Sequence, residues 1–375
     1  MFSNFKKIIV ITAIIPLLFV SPVLAEINPA NTPDQSIYPQ ASALILNSKT
    51  TANYTEKPYT IKVEKTVKIF NQRGIERYGE VKIRYDKKTE EIKILKAETI
   101  KGNGDKVKVK DNAVNEITPP ELSKANIYSN IREKVLNMPA LESGVIINYS
   151  YIKKIKDPVL EGEFWINKYL QSTDPIEKSS LIIKAPINKK LNYTTKSGEL
   201  QPEIIKNKNH DKYIWRVEGV KGIEKENAMP PLADLLKKVT VSTLNDWNYV
   251  SQWYKNLIKD QYNVNRDLKN KVAELCQGKK NREEKIRAIY NYVTSDIRYV
   301  GLEFGIGGYK PHKAVEVFAN KYGDCKDQAT LLITMLKQID IKAEPVLINS
   351  RANPSLNIVT PVQFNHMIVY LPQEE

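Results

Sequence analysis

At 375 residues, with 42% apolar and 27% charged side chains, the chain has room for two domains with separate cores. With 15 Gly and 20 Pro it is neither disordered nor collagen-like. The net charge is +14, but the lysines recur along alternating runs such as Ile61-Lys62-Val63 and Val107-Lys108-Val109, not in clusters interleaved with aromatics. That pattern describes solvated sheet faces and argues against nucleic acid as a partner; it allows peripheral attraction to an anionic envelope.

The first 25 residues read as an address. Lys6 and Lys7 form a basic start, Ile8 to Val20 is apolar apart from Thr12 and Pro16, and Val23-Leu24-Ala25 offers a cleavage site ahead of Glu26. A signal peptide cut after Ala25 is expected, giving a periplasmic or secreted product. The apolar run is too short for a comfortable membrane span, and an uncleaved signal anchor is the alternative. No Cys follows the cut, which argues against a lipid anchor.

From about residue 55 to 220, within a β-rich domain expected over residues 26–225, the dominant period is two. Ile61, Val63, Val67 and Ile69 alternate with polar residues, as do Val81, Ile83 and Tyr85, and later Val145, Ile147, Tyr149 and Tyr151. Asn103-Gly104 between two such runs predicts a hairpin turn. Many short one-sided strands predict an antiparallel β-sandwich-like domain, with Phe164, Trp165 and Tyr169 as core. Residues 226–244, with Met229-Pro230-Pro231, read as a connector.

From 245 onward the period becomes helical. Trp247, Val250, Tyr254, Leu257 and Ile258 form one stripe over 246–258, and Ile286, Ile289, Tyr290, Val293 and Ile297 another over 284–297. The fold class is therefore α+β. Cys276 reads as a small apolar filler near a helix end; a disulfide with Cys325, the other cysteine, stays open.

The chemistry concentrates in Tyr322-Gly323-Asp324-Cys325-Lys326-Asp327. Gly323 breaks the chain and Asp324 is a good N-cap. With Ala329, Leu332, Ile333 and Leu336 as an apolar face, Cys325 falls in the first turn of a buried helix. The helix dipole there favours a thiolate, whereas Asp324 and Asp327 oppose it, so a basic partner is needed. The candidate is His366, in a strand-like run where Phe364, His366, Ile368 and Tyr370 share one face. Alone, such a His is more often a satisfied imidazole; the order helix Cys, strand at 344–348, strand His is papain-like.

Gly323-Asp324-Cys325-Lys326-Asp327, followed by an apolar helix and then Phe364-Asn365-His366, resembles the bacterial transglutaminase-like superfamily. Ile297-Arg298-Tyr299-Val300, Gly307-Gly308-Tyr309 and Pro311-His312-Lys313-Ala314 are similar to one branch of it. In that branch a β-rich domain of unknown function comes first, and residues 137–144 resemble that domain. The resemblance implies a Cys–His–Asp triad: Cys325 the nucleophile that forms a thioester, His366 the base, and the Cys325 backbone N–H an oxyanion donor. It implies a peptide, protein or cell-wall amide substrate and no cofactor. Residues 245–375 would be the transglutaminase-like domain. The implied Asp is missing, since Met367 to Glu375 contains none and Asn365 points away from His366. The expectation is a truncated domain of weak activity, because spoiling the orienting Asp in serine-protease triads costs about 10⁴-fold. The alternative is a non-catalytic envelope binding or assembly module on the same scaffold.

The remaining signals are weak. His312 lies in a turn and reads as a structural or substrate-edge residue before it reads as a base. Gly305-Ile306-Gly307-Gly308 lacks phosphate-loop spacing, and three scattered His with two distant Cys give no metal-ligand spacing. The oligomeric state is left open.

Overall fold

The computed structural model describes residues 27–55, 57–120, 122, 130–301, 308–351 and 354–372. The expected signal peptide, Gly305 to Gly307 and the terminal Glu374 and Glu375 lie outside them.

The first part is built on one eight-stranded sheet. In spatial order its strands are Glu203–Lys206, His210–Val220, Ile176–Pro186, Ala43–Asn53, Tyr59–Ile69, Ile146–Ile155, Glu90–Ile100 and Lys106–Lys108. The sheet is not wholly antiparallel as expected. Ala43–Asn53 pairs antiparallel with Tyr59–Ile69 but parallel with Ile176–Pro186. A strand reached by a long connection is free of the antiparallel geometry that a hairpin imposes. The Asn103-Gly104 turn does join Glu90–Ile100 to Lys106–Lys108, with Gly104 at φ +92°.

Two three-stranded sheets pack on this frame. One consists of Glu80–Asp86, Ile131–Asn137 and Val114–Ile117; the other of Asn192–Lys196, Lys238–Ser242 and Trp165–Tyr169. A bulge between Ile45 and Asn47 keeps Ala43, Ile45, Ser48, Thr50 and Ala52 on one face of the central strand. Ala43 and Ile45 join the first core with Val67, Ile83 and Leu136, while Ala52 joins the second with Phe164, Leu181 and Trp215. The aromatic expectation divides: Phe164 is fully buried, Trp165 half-buried and Tyr169 exposed. The connector is also shorter than read. Lys238–Ser242 is the middle strand of the second small sheet, a five-residue strand whose alternation the preceding Pro230-Pro231 obscured.

Helices Trp247–Ile258, Arg266–Cys276 and Arg282–Asp296 follow, then Ala314–Asn320 and Cys325–Lys337. Their starts are legible in the sequence, since Asp246, Asn265 and Asn281 each cap a helix through a side-chain oxygen. The Cys325–Lys337 helix is buried on more than the expected face. Leu331 and Met335 are as covered as Ile333 and Leu336, whereas Leu332 is half-buried. Helices cover one side of it and the antiparallel pair Glu344–Ile348 and His366–Tyr370 covers the other. Leu160 and Trp165 of the β-rich part pack with Leu244, Trp247, Val250, Trp253 and Val359, which joins the two parts. No helix among the described residues is long and apolar enough to cross a membrane.

Asp174 ties the first part together. Its carboxylate is buried and accepts from Ser42 N and Oγ, from Arg77 Nη1 at 2.6 Å and from Tyr78 OH at 2.8 Å. Asp174→Ala is expected to cost about 2–4 kcal/mol in denaturant unfolding, against about 1 kcal/mol for Ser42→Ala, because it orphans several donors at once.

Candidate active site

The turn that leads into Cys325 is fixed by its backbone. Tyr322-Gly323 pairs in parallel with Arg298-Tyr299, which sets the direction in which the chain enters the Cys325 helix. Gly323 is required by contact: a Cβ there would lie 2.4 Å from Asp327 Cβ. Asp324 is the N-cap, accepting from Lys326 N at 2.9 Å and Asp327 N at 3.2 Å, while Asp327 accepts from Asp324 N at 3.1 Å. This is a capping box with aspartate in both roles.

The box changes the electrostatics expected of a helix start. Two of the first N–H groups are taken by a carboxylate, so the dipole is already met by negative charge. Asp324 and Asp327 are each 1% exposed, and burial pushes the Asp324 carboxyl up. Their countercharges come from two residues that sequence reading did not assign to the site. Lys326, itself buried, places its Nζ on Asp324 Oδ2. His312 donates its backbone N–H to Asp327 Oδ1 at 2.7 Å, and its Nδ1 lies 3.1 Å from Oδ2. The side chain of His312 is 55% exposed, yet the hydrogen bond to Asp327 raises its pKa above 6.5. His312 is therefore a clamp on the turn, in line with a structural reading. The signal was an aspartate at N3 that also needed a partner from outside the helix.

Cys325 and His366 are brought together. Both line a cavity of about 240 Å³ with Tyr309, Lys326, Leu347 and Phe364, and both line a larger trough of about 580 Å³ with Tyr290, Leu332 and Leu336. His366 pairs with Ile348 at the start of its strand, and the neighbouring Met367 packs with Cys325, Ala329 and Tyr254. Asn365 is engaged elsewhere, accepting from Ser350 N at 2.9 Å. Among the described residues, no acidic side chain is hydrogen-bonded to His366. Cys276 and Cys325 are thiols, not a disulfide; Cys276 is half-buried in the helical core, and burial pushes its thiol up. No cluster of three or more metal-ligating side chains is present among the described residues.

Comparison with known proteins gives two family matches. Residues 57–224 match DUF3857, a domain of unknown function, and residues 269–368 match the transglutaminase-like superfamily. No curated protein matches. A "putative protease" from Parabacteroides distasonis ATCC 8503 has a crystal structure similar to this fold, with a TM-score of 0.74 at 18% identity over 88% of this chain. The chain spans 65% of that protein's length, and the likeness shows the fold alone. A "putative cysteine protease" from Cytophaga hutchinsonii covers 49% of this chain and 68% of its own at 11% identity, and its TM-score of 0.22 carries no argument.

The His312–Asp327 pair has a pH signature. Its native pKa is raised above the unfolded 6.5, so its contribution is full below that value and is lost as pH rises through the native pKa. The stability difference between wild type and His312→Gln, measured by denaturant unfolding, should be larger at about pH 6 than at about pH 9.

Proposed function

We propose that this chain, whose residues 269–368 match the transglutaminase-like superfamily, is an exported thiol enzyme acting on peptide or isopeptide amide bonds. The observation that carries the reading is the shared lining of Cys325 and His366 in two adjoining cavities, with the thiol in the first turn of a buried helix. The imidazole takes the Cys325 proton, and the sulfur adds to the amide carbonyl carbon. The C–N bond then breaks as the amine leaves with the proton from the imidazolium, and a thioester remains. Water or an amine resolves it, with His366 now removing a proton from the incoming group. The substrate would be a peptide, protein or cell-wall amide. Export rests on the sequence of residues 1–25, and the basic surface suits peripheral contact with an anionic envelope.

Turnover by this polypeptide should be weak. In a triad an acid hydrogen-bonded to the imidazole orients it, and among the described residues none is hydrogen-bonded to His366. The same observation favours a second reading, a binding or assembly module that retains the scaffold without turnover. The first test is the pH dependence of Cys325 alkylation by a small electrophile, with Cys276 as internal control and His366→Ala alongside. An apparent pKa well below the ordinary ~8.5, lost in His366→Ala, is the expected result. A value near that of an ordinary thiol, unmoved by the substitution, would leave the non-catalytic reading. Separately, amide hydrolysis at rates ordinary for cysteine hydrolases would overturn the expectation of weak turnover.

A further inference from the structure

The thiol of Cys325 lies between two buried carboxylates, Asp324 on one side in sequence and Asp327 on the other. Forming a thiolate there adds a third negative charge to a poorly hydrated turn, which is unfavourable unless the carboxylates are balanced. Each has one cation. Lys326 is 3% exposed and committed to Asp324. His312 is the counterpart on Asp327, and it differs in that its side chain reaches solvent and is charged only when protonated, the form that the hydrogen bond to Asp327 favours.

Other groups among the described residues face this pair. Asp324 and Asp327 meet His312 from the start of the Cys325 helix, and Glu316 meets it from the helix Ala314–Asn320 that follows it. Lys326 and His366 share the smaller cavity with the thiol. From the Trp247–Ile258 helix comes Tyr254, a phenol that burial keeps protonated. Asp324, Lys326, Asp327 and His312 therefore balance while His312 is an imidazolium, and carry one net negative charge once it is neutral.

We propose that His312 is a positioning residue for the thiol chemistry: as the imidazolium it neutralises Asp327 and so permits Cys325 to ionise. The inference rests on the reading of Cys325 as nucleophile. Charge, rather than the hydrogen bond alone, is the operative property. A neutral ring with its proton on Nδ1 would still donate to Asp327, and the backbone N–H of His312 donates whatever the ring does. A glutamine at this position could likewise supply a donor without the charge. When His312 loses its proton, its backbone N–H still holds Asp327, and the first turn of the Cys325 helix carries a carboxylate without its countercharge.

The test is the Cys325 alkylation profile in His312→Gln and His312→Lys, measured on the full chain with Cys276 as internal control. His312→Gln should raise the apparent pKa of Cys325 by on the order of half to one pH unit, His312→Lys should restore the wild-type value, and Cys276 should not move. Superimposable profiles for wild type and His312→Gln would overturn the proposal. So would equal shifts in His312→Gln and His312→Lys, which would mean that shape and not charge matters. Failure of the nucleophile reading has a different signature, indifference of the thiol to His366→Ala. The His312 comparison can still be read in that case, because it needs only the titration of the thiol.

Discussion

The capping box between Asp324 and Asp327 is the constraint on which the site depends. It fixes where the helix begins, and hence where the Cys325 side chain leaves the backbone. It requires glycine at 323, since any side chain there would collide with Asp327. It also draws in the turn carrying His312 and the ammonium of Lys326, each recruited by one carboxylate. A helix start with a neutral cap would be electrostatically simpler for a thiolate. This one is held more firmly and must be neutralised from outside.

Ionic groups at this depth are weak stabilisers in themselves, because desolvation offsets much of their attraction. What they supply is a single geometry. Asp324 and Asp327 accept several hydrogen bonds between them, and with this arrangement the turn has little freedom to move the sulfur relative to His366. The antiparallel pair Glu344–Ile348 and His366–Tyr370 performs the matching task for His366, with Met367 packed against Cys325 and Ala329.

Much of this was legible in the sequence. Gly-Asp-Cys ahead of an apolar helix located the turn that starts the Cys325 helix, and the alternation about His366 located its strand. The β-rich part announced itself by period two. Less legible were features that depend on distant neighbours. The strand Ile176–Pro186 pairs in parallel because of where the chain returns, which local alternation does not encode. Nothing local in the sequence marks Lys326 as buried, and only the buried Asp324 explains it. His312 carries no pattern of its own; its meaning comes from a carboxylate fifteen positions later in the chain.

The strand Lys238–Ser242 has a consequence for how separable the two parts are. It lies between Asn192–Lys196 and Trp165–Tyr169, so the β-rich part is closed by residues that come after the Pro230-Pro231 segment. Leu244, just beyond it, then packs with Trp247 and Val250 of the first helix of the second part. The polypeptide thus leaves one core and enters the next within a few residues. A cut at the compositional boundary near 225 would take the middle strand from one sheet and leave it as an apolar tail on the other fragment, so the structural seam lies near 244.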